Sequence, residues 1–198
     1  MVIFLYTFSL MYSPSSLNFR CLEISSKEQF KKSIQFFLGI FSGFFFLLMF
    51  FGYLSQIFIP TSWHHYLNFL GVIYTFYIAI RGMLADITNK QSRIQMTFNS
   101  GLISQLTNPK TLLVTLPVSV IIYPILQITG GMIFIVSLLI SLLSVGAPVL
   151  YAIIGNHNHT SIFKNTIIFE YLNIIMGVIL IISGTILLRF FLKSIHTI

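Results

Sequence analysis

Two X–Pro steps are where this sequence can do chemistry. Ser13-Pro14-Ser15-Ser16 interrupts the first apolar stretch, with Asn18 just beyond it. Asn108-Pro109-Lys110 interrupts a later one, with Gln105 just before it. A proline has no N–H and pushes off the carbonyl four residues earlier. In apolar surroundings the freed backbone groups become ligands, and they stay unpaired only where protein or a water-filled cavity covers them. Asn18, Gln105 and Asn108 can add donors and acceptors, and Lys110 offers a positive charge to a carboxylate. Lys110 has two readings: it faces such a pathway, or it snorkels to an interface. Arg20, near Glu23, is expected to snorkel; Glu170 suits an interface and Asp86 a solvated loop.

This is binding chemistry rather than bond-making. There is no Gly-x-Ser-x-Gly elbow and no P-loop, so ATP-driven work would need a separate subunit. His64-His65 and His157-x-His159 lack neighbours to complete a coordination sphere and are expected in loops. The single Cys21 forms no intrachain disulfide and no cluster. The expectation is no enzyme, no metal and no cofactor.

The elements that must position these residues follow from composition. Of 198 residues, 56% are hydrophobic and 8% charged, with a mean hydropathy of +0.92. Soluble domains carry about 25% charged residues, so a soluble enzyme or nucleic-acid binder is excluded and the expected solvent is lipid. The net charge of +7 then sets orientation rather than nucleic-acid binding. A crossing helix needs about 20 apolar residues, and six stretches qualify: about Val2 to Leu22, Ile34 to Phe58, Tyr66 to Met83, a fourth starting between Phe98 and Thr111 and ending near Tyr123, Met132 to Ile154, and Phe169 to Phe190. Residues 33–80 and 111–163 contain no Asp, Glu, Lys or Arg. Pro60-Thr61-Ser62-Trp63 and Gln127 to Gly131 supply the turns that divide them. The first stretch lacks the basic flank and small-x-small site of a cleaved signal.

Lys27, Lys31, Lys32, Arg81, Lys90, Arg93 and Lys164 fall in three alternate loops, which the positive-inside rule makes cytoplasmic. Both termini are then external, against the pull of Arg189 and Lys193. Trp63, Tyr53 and Tyr123 fit interfacial anchors at the outer ends.

The chain reads as one domain, residues 1–198, whose halves, about 1–85 and 98–198, echo each other. Tyr66-Leu67-Asn68 precedes Gly71, Val72 and Ile73; Tyr171-Leu172-Asn173 precedes Gly177, Val178 and Ile179. Each half opens on a proline-broken span. Three spans per half force opposite topologies, so the expected fold is all-α, with six transmembrane helices in two inverted three-helix repeats. Gly39 and Gly43, one turn apart, permit close helix approach, with Gly71 and Gly177 as further packing positions.

These stretches resemble the LysE/RhtB-type amino-acid exporters. Ser13 to Asn18, Phe30-Lys31-Lys32-Ser33 and Leu38-Gly39-Ile40 with Gly43 are similar to the family's Pro-Gly-Pro-Asn motif, basic loop and glycine-spaced second helix. Leu70-Gly71 with Tyr74, Tyr77 and Ala79 is like its third. Phe98-x-x-Gly101-Leu102-x-x-Gln105-Leu106-x-Asn108-Pro109-Lys110 is the most specific match, to the opening of the fourth helix. Leu172-Asn173 with Gly177 and Gly184 fits the last. The Ile59-Pro60 turn and the Phe-rich second helix lean toward cysteine and O-acetylserine exporters. Two departures stand out: Pro14-Ser15-Ser16 replaces Pro-Gly-Pro, and Phe44 stands near a place where the family often has an acidic residue. The resemblance implies proton-driven export of small amino acids or derivatives by alternating access, in a bacterial cytoplasmic membrane. The implied pathway is Pro14, Asn18, Gln105, Asn108, Pro109 and Lys110. The implied partners are an amino-acid substrate and lipid, with a homodimer left open. Metal-ion efflux and a non-transporting scaffold or degenerate paralogue are the alternatives.

Overall fold

The computed structural model describes residues 2–25, 30–58, 64–83, 96–157 and 166–196. Among these there are helices and no strand. In chain order they are α1 (Val2–Tyr12), α2 (Ser16–Ser25), α3 (Phe30–Phe58), α4 (His64–Met83), α5 (Phe98–Leu106), α6 (Pro109–Pro117), a π-helical segment (Val118–Ile122), α7 (Tyr123–Ile125), α8 (Gly131–His157) and α9 (Thr166–His196). The Pro60–Trp63 turn, Lys27, Asp86, Lys90, Arg93, His159 and Lys164 lie outside the described residues, as do the side chains of Glu23, Lys31, Lys32 and Lys193.

Among the described residues, three helices are long and apolar enough to cross a bilayer: Ser33–Phe58, Gly131–Ile154 and Glu170–Arg189. The bent pair Phe98–Leu106 and Lys110–Ile125, whose pieces meet at 67°, makes a fourth if the two pieces form one span. The expected first and third spans contribute only shorter apolar stretches, Ile3–Tyr12 and Val72–Arg81. The first span is divided at Ser13-Pro14-Ser15 into two helices, because the proline denies the ladder a donor there. His64 and His65, expected in a loop, begin α4, and His157 ends α8.

Beside an apolar core, the helices bury small polar side chains and turn large apolar ones outward. On α8, Ser137, Ser141 and Ser144 are buried while Ile135, Leu139 and Leu142 are exposed. Thr111, Thr115 and Ser119 are buried while Leu116 is exposed. On α9, Ile174, Val178 and Ile182 face outward. Water would reverse this pattern, whereas lipid covers apolar faces and leaves polar ones to pair internally.

Packing joins the halves. α1 and α2 lie on α8, while α5, α6 and the π segment lie on α3. α3 packs on α8, α4 on α9, α1 on α9 and the π segment on α4. The α3–α5 crossing is backbone on backbone: a methyl at Gly39 would strike the Phe98 carbonyl and the Leu102 amide, and one at Gly101 would strike the Phe36 carbonyl. Gly43 sits against Gln105 and the Leu102 carbonyl. The turn into α8 uses positive φ at Gln127 and Gly130. The exposed Tyr53 hydroxyl donates to the Gly130 carbonyl there (3.2 Å). Tyr123, expected as an interfacial anchor, is instead buried, 2.8 Å from Ser137 Oγ.

Candidate functional site

The first break leaves the carbonyl end of α1 without helical donors, and side chains supply them. The last carbonyls of a helix lack intrahelical partners. Here Ser13 Oγ donates to Leu10 O (3.0 Å) and Asn18 Nδ2 donates to Met11 O (2.9 Å) and Ser13 O (3.1 Å). Tyr151 in α8 donates to Tyr12 O (3.2 Å). Lys110 Nζ, 97 positions along the chain, donates to Ser13 O (3.0 Å) and Ser13 Oγ (2.7 Å). A helix carboxyl end carries a partial negative charge, so the ammonium lies where that charge is concentrated.

The second break is capped locally. Asn108 is the N-cap of α6, its Oδ1 accepting from the Lys110 amide (3.0 Å), with Pro109 in the first helical turn. Thr107 closes α5, its Oγ1 donating to Ile103 O (2.7 Å). Thr97 and Ser100 form a capping box at the start of α5. These caps fix the positions of Gln105, Asn108, Lys110 and Thr111.

The two breaks meet at one polar cavity. Its lining includes Ser15 and Asn18 from the first half and Gln105, Asn108, Lys110, Thr111 and Ser144 from the second, with Met11, Leu17 and Ile40 as apolar wall. Its central space is about 10 Å³, room for about one water molecule, so the conformation is closed around it. Gln105 Oε1 and Thr111 Oγ1 are buried there without a hydrogen-bond partner. Beyond Ser13 lies a second small space, about 20 Å³, bordered by Ser9, Asn173 and Gly177 among others.

Four of the six pathway residues read from sequence line the first cavity: Asn18, Gln105, Asn108 and Lys110. Pro14 and Pro109 shape the breaks beside it. Gly39 and Gly43 make the close approach already described, Gly177 borders the second space, and Gly71 lies in α4. The Lys110 ammonium lies on Ser13. Phe44 is fully buried in the core. Sequence reasoning missed Thr111, Ser144 and Pro148 as lining residues. It also missed Tyr6 and Tyr12, which bond carbonyls near Pro117 and Pro148. Tyr6 donates to Leu113 O (3.2 Å), the carbonyl four residues before Pro117. Tyr12 donates to Leu143 O (3.1 Å), one turn before Pro148. The i−4 rule marks Leu113 O, the carbonyl that Pro117 orphans, but not Leu143 O, which lies five residues before Pro148.

The family model described as LysE type translocator matches residues 8–190. No curated protein matches the chain, and no solved structure does.

Proposed function

The chain belongs to the LysE type translocator family, and from that premise we propose that it exports small amino acids or their derivatives from the cytoplasm through the cavity between the two proline breaks. The observation that carries this reading is the cavity itself, lined from both halves and centred on Lys110 and two unpartnered acceptors. A scaffold has no use for such a centre, since unpaired buried polar groups cost stability. Metal-ion efflux finds no group of three or more His, Cys, Asp or Glu among the described residues.

The architecture proposed is six crossings in two inverted repeats. The packing supports it: helices of one half lie mainly on helices of the other, and interchanging the halves reproduces the pairings of the first span with α8 and of the fourth with α3. α1, with 11 residues, spans about 16 Å and α2, with 10, about 15 Å. Laid end to end they would match roughly 30 Å of hydrocarbon, so on this architecture the first break lies near its middle. Alternating access then rocks one half against the other, driven by the proton gradient, in a bacterial cytoplasmic membrane. Cysteine-like and other neutral amino acids are the proposed substrate range.

Metabolite profiling tests it. A strain overproducing the protein should hold less of at least one small amino acid inside and more outside than a strain producing Asn108→Ala at equal membrane abundance. Identical pools in both strains, across the amino acids and their O-acetyl and thiol derivatives, would overturn the export reading.

A further inference from the structure

The cavity has a charge and polarity that restrict what it can hold. Lys110 is the only charged side chain in its described lining, and no carboxylate lines it. Two of its polar atoms, Gln105 Oε1 and Thr111 Oγ1, have no partner, on residues that are 1% and 0% exposed. At the first break, by contrast, Met11 O, Tyr12 O, Ser13 O and Ser13 Oγ already have donors. The Gln105 oxygen is an acceptor only, and the Thr111 hydroxyl can accept through its lone pairs. Gln105 lies in the last turn of α5 and Thr111 in the first turn of α6, either side of the Asn108 cap, and both line the cavity with Lys110.

We propose that Gln105 Oε1 and Thr111 Oγ1 are the receptor for the substrate's ammonium group, so that the site takes a zwitterion of zero net charge and refuses one bearing a second positive charge. This rests on the export reading. The carboxylate of the zwitterion goes to Lys110, whose third N–H is not used on Ser13. Its ammonium goes to the two orphaned oxygens, and an uncharged side chain meets Met11, Leu17 and Ile40. A dibasic amino acid would bring a second cation beside Lys110 with no anion to offset it, and like charges at low dielectric repel strongly. A carboxylic acid without an amino group leaves both oxygens unpartnered and forgoes their contribution to binding. The closed space must widen to admit any of these, which fits alternating access rather than a fixed pore.

Purified protein in proteoliposomes separates the possibilities. L-alanine, L-cysteine, L-threonine and L-leucine are assayed for counterflow, together with L-lysine and the deaminated carboxylate of whichever neutral amino acid is carried fastest. Lysine should be carried at less than about a tenth of that rate. Gln105→Leu, close in volume, should raise the half-saturating concentration of the amino acid about tenfold and leave that of the deaminated carboxylate unchanged. Thr111→Val, isosteric, should act the same way, and Thr111→Ser should behave as the parent; this pair decides the matter if Gln105→Leu fails to fold. Equal losses for the amino acid and its deaminated form, or lysine carried as fast as the neutral substrates, would overturn the receptor while leaving export intact. Transport of none of the compounds would overturn export and the receptor with it.

Discussion

At the scale of single residues, the site is an exercise in partnering orphaned backbone groups. Lys110 holds two acceptors of Ser13 in an interior with few other donors. Lys110→Gln keeps a donor but removes the charge. A charge-assisted hydrogen bond contributes about 1.5–3 kcal/mol, so apparent affinity for carboxylate-bearing substrates should fall about 10- to 100-fold. Affinity for their esters should hardly move; equal effects on acid and ester in a counterflow assay would remove Lys110 from substrate recognition. Tyr6 and Leu113 O make a second case. Tyr6→Phe deletes the donor to the carbonyl that Pro117 orphans and should cost about 0.6–1.7 kcal/mol, the range for side-chain hydrogen bonds in membrane helices. In the background of Pro117→Ala, whose restored N–H can serve that carbonyl, the cost should shrink; an unchanged cost in a detergent unfolding cycle would break the assignment. Lys110, Gln105, Asn108 and Asn18 were legible in the sequence because a proline announces freed groups within one turn of itself. Ser144, Pro148, Tyr12 and Tyr151 were not, because they reach the site from α8 or across from α1, and local spacing carries no information about a partner more than a hundred residues away.

At the scale of elements, apolar length and proline position predicted most helices, while their joints were set by tertiary contacts. The break at Pro14 and the start of α6 at Pro109 follow from the missing N–H. The π-helical segment at Val118–Ile122 does not follow from local sequence. Tyr123 N–H bonds Val118 O in the five-residue step, and the next such step would need the N–H that Pro124 lacks. Ser55 on α3 donates to Ser119 O instead (3.2 Å), so the wider turn depends on a neighbouring helix. The α3–α5 crossing makes an equally specific demand. Gly39→Ala or Gly101→Ala places a methyl against backbone, which cannot rotate away. Each should destabilise by about 1–3 kcal/mol or more, seen as a lower melting temperature in detergent. Gly131→Ala, where a methyl meets nothing within 4 Å, is the control and should melt with the parent. Equal melting of all three would mean that the helices do not approach at these glycines.

At the scale of the whole molecule, the interleaving of the halves gives two expectations. By the positive-inside rule the loop charges predict that a reporter fused after Lys90 reads cytoplasmic and one inserted at Thr61 external; the reverse readout would invert the topology. The second expectation concerns folding. α1 and α2 find their surface on α8, and α5 with α6 finds its own on α3. The central pairs, α3 with α8 and α4 with α9, also cross between the halves. Contacts inside one half are sparse by comparison, and the cavity loses either Ser13 and Asn18 or Lys110 and Gln105 if one half is absent. A half expressed alone can insert its apolar helices, since insertion needs only length and apolarity. It then loses the bonds that cross between the halves, those of Tyr6 to Leu113 O, Tyr12 to Leu143 O, Ser55 to Ser119 O, Lys110 to Ser13 and Tyr151 to Tyr12 O, and polar groups left facing hydrocarbon are costly. Fragments 1–90 and 91–198 should therefore each be degraded when made singly, yet co-purify and restore export when made together in one cell. Two halves that fold and persist separately would show that each is a self-sufficient bundle, and the shared cavity would lose its standing as the centre of the molecule.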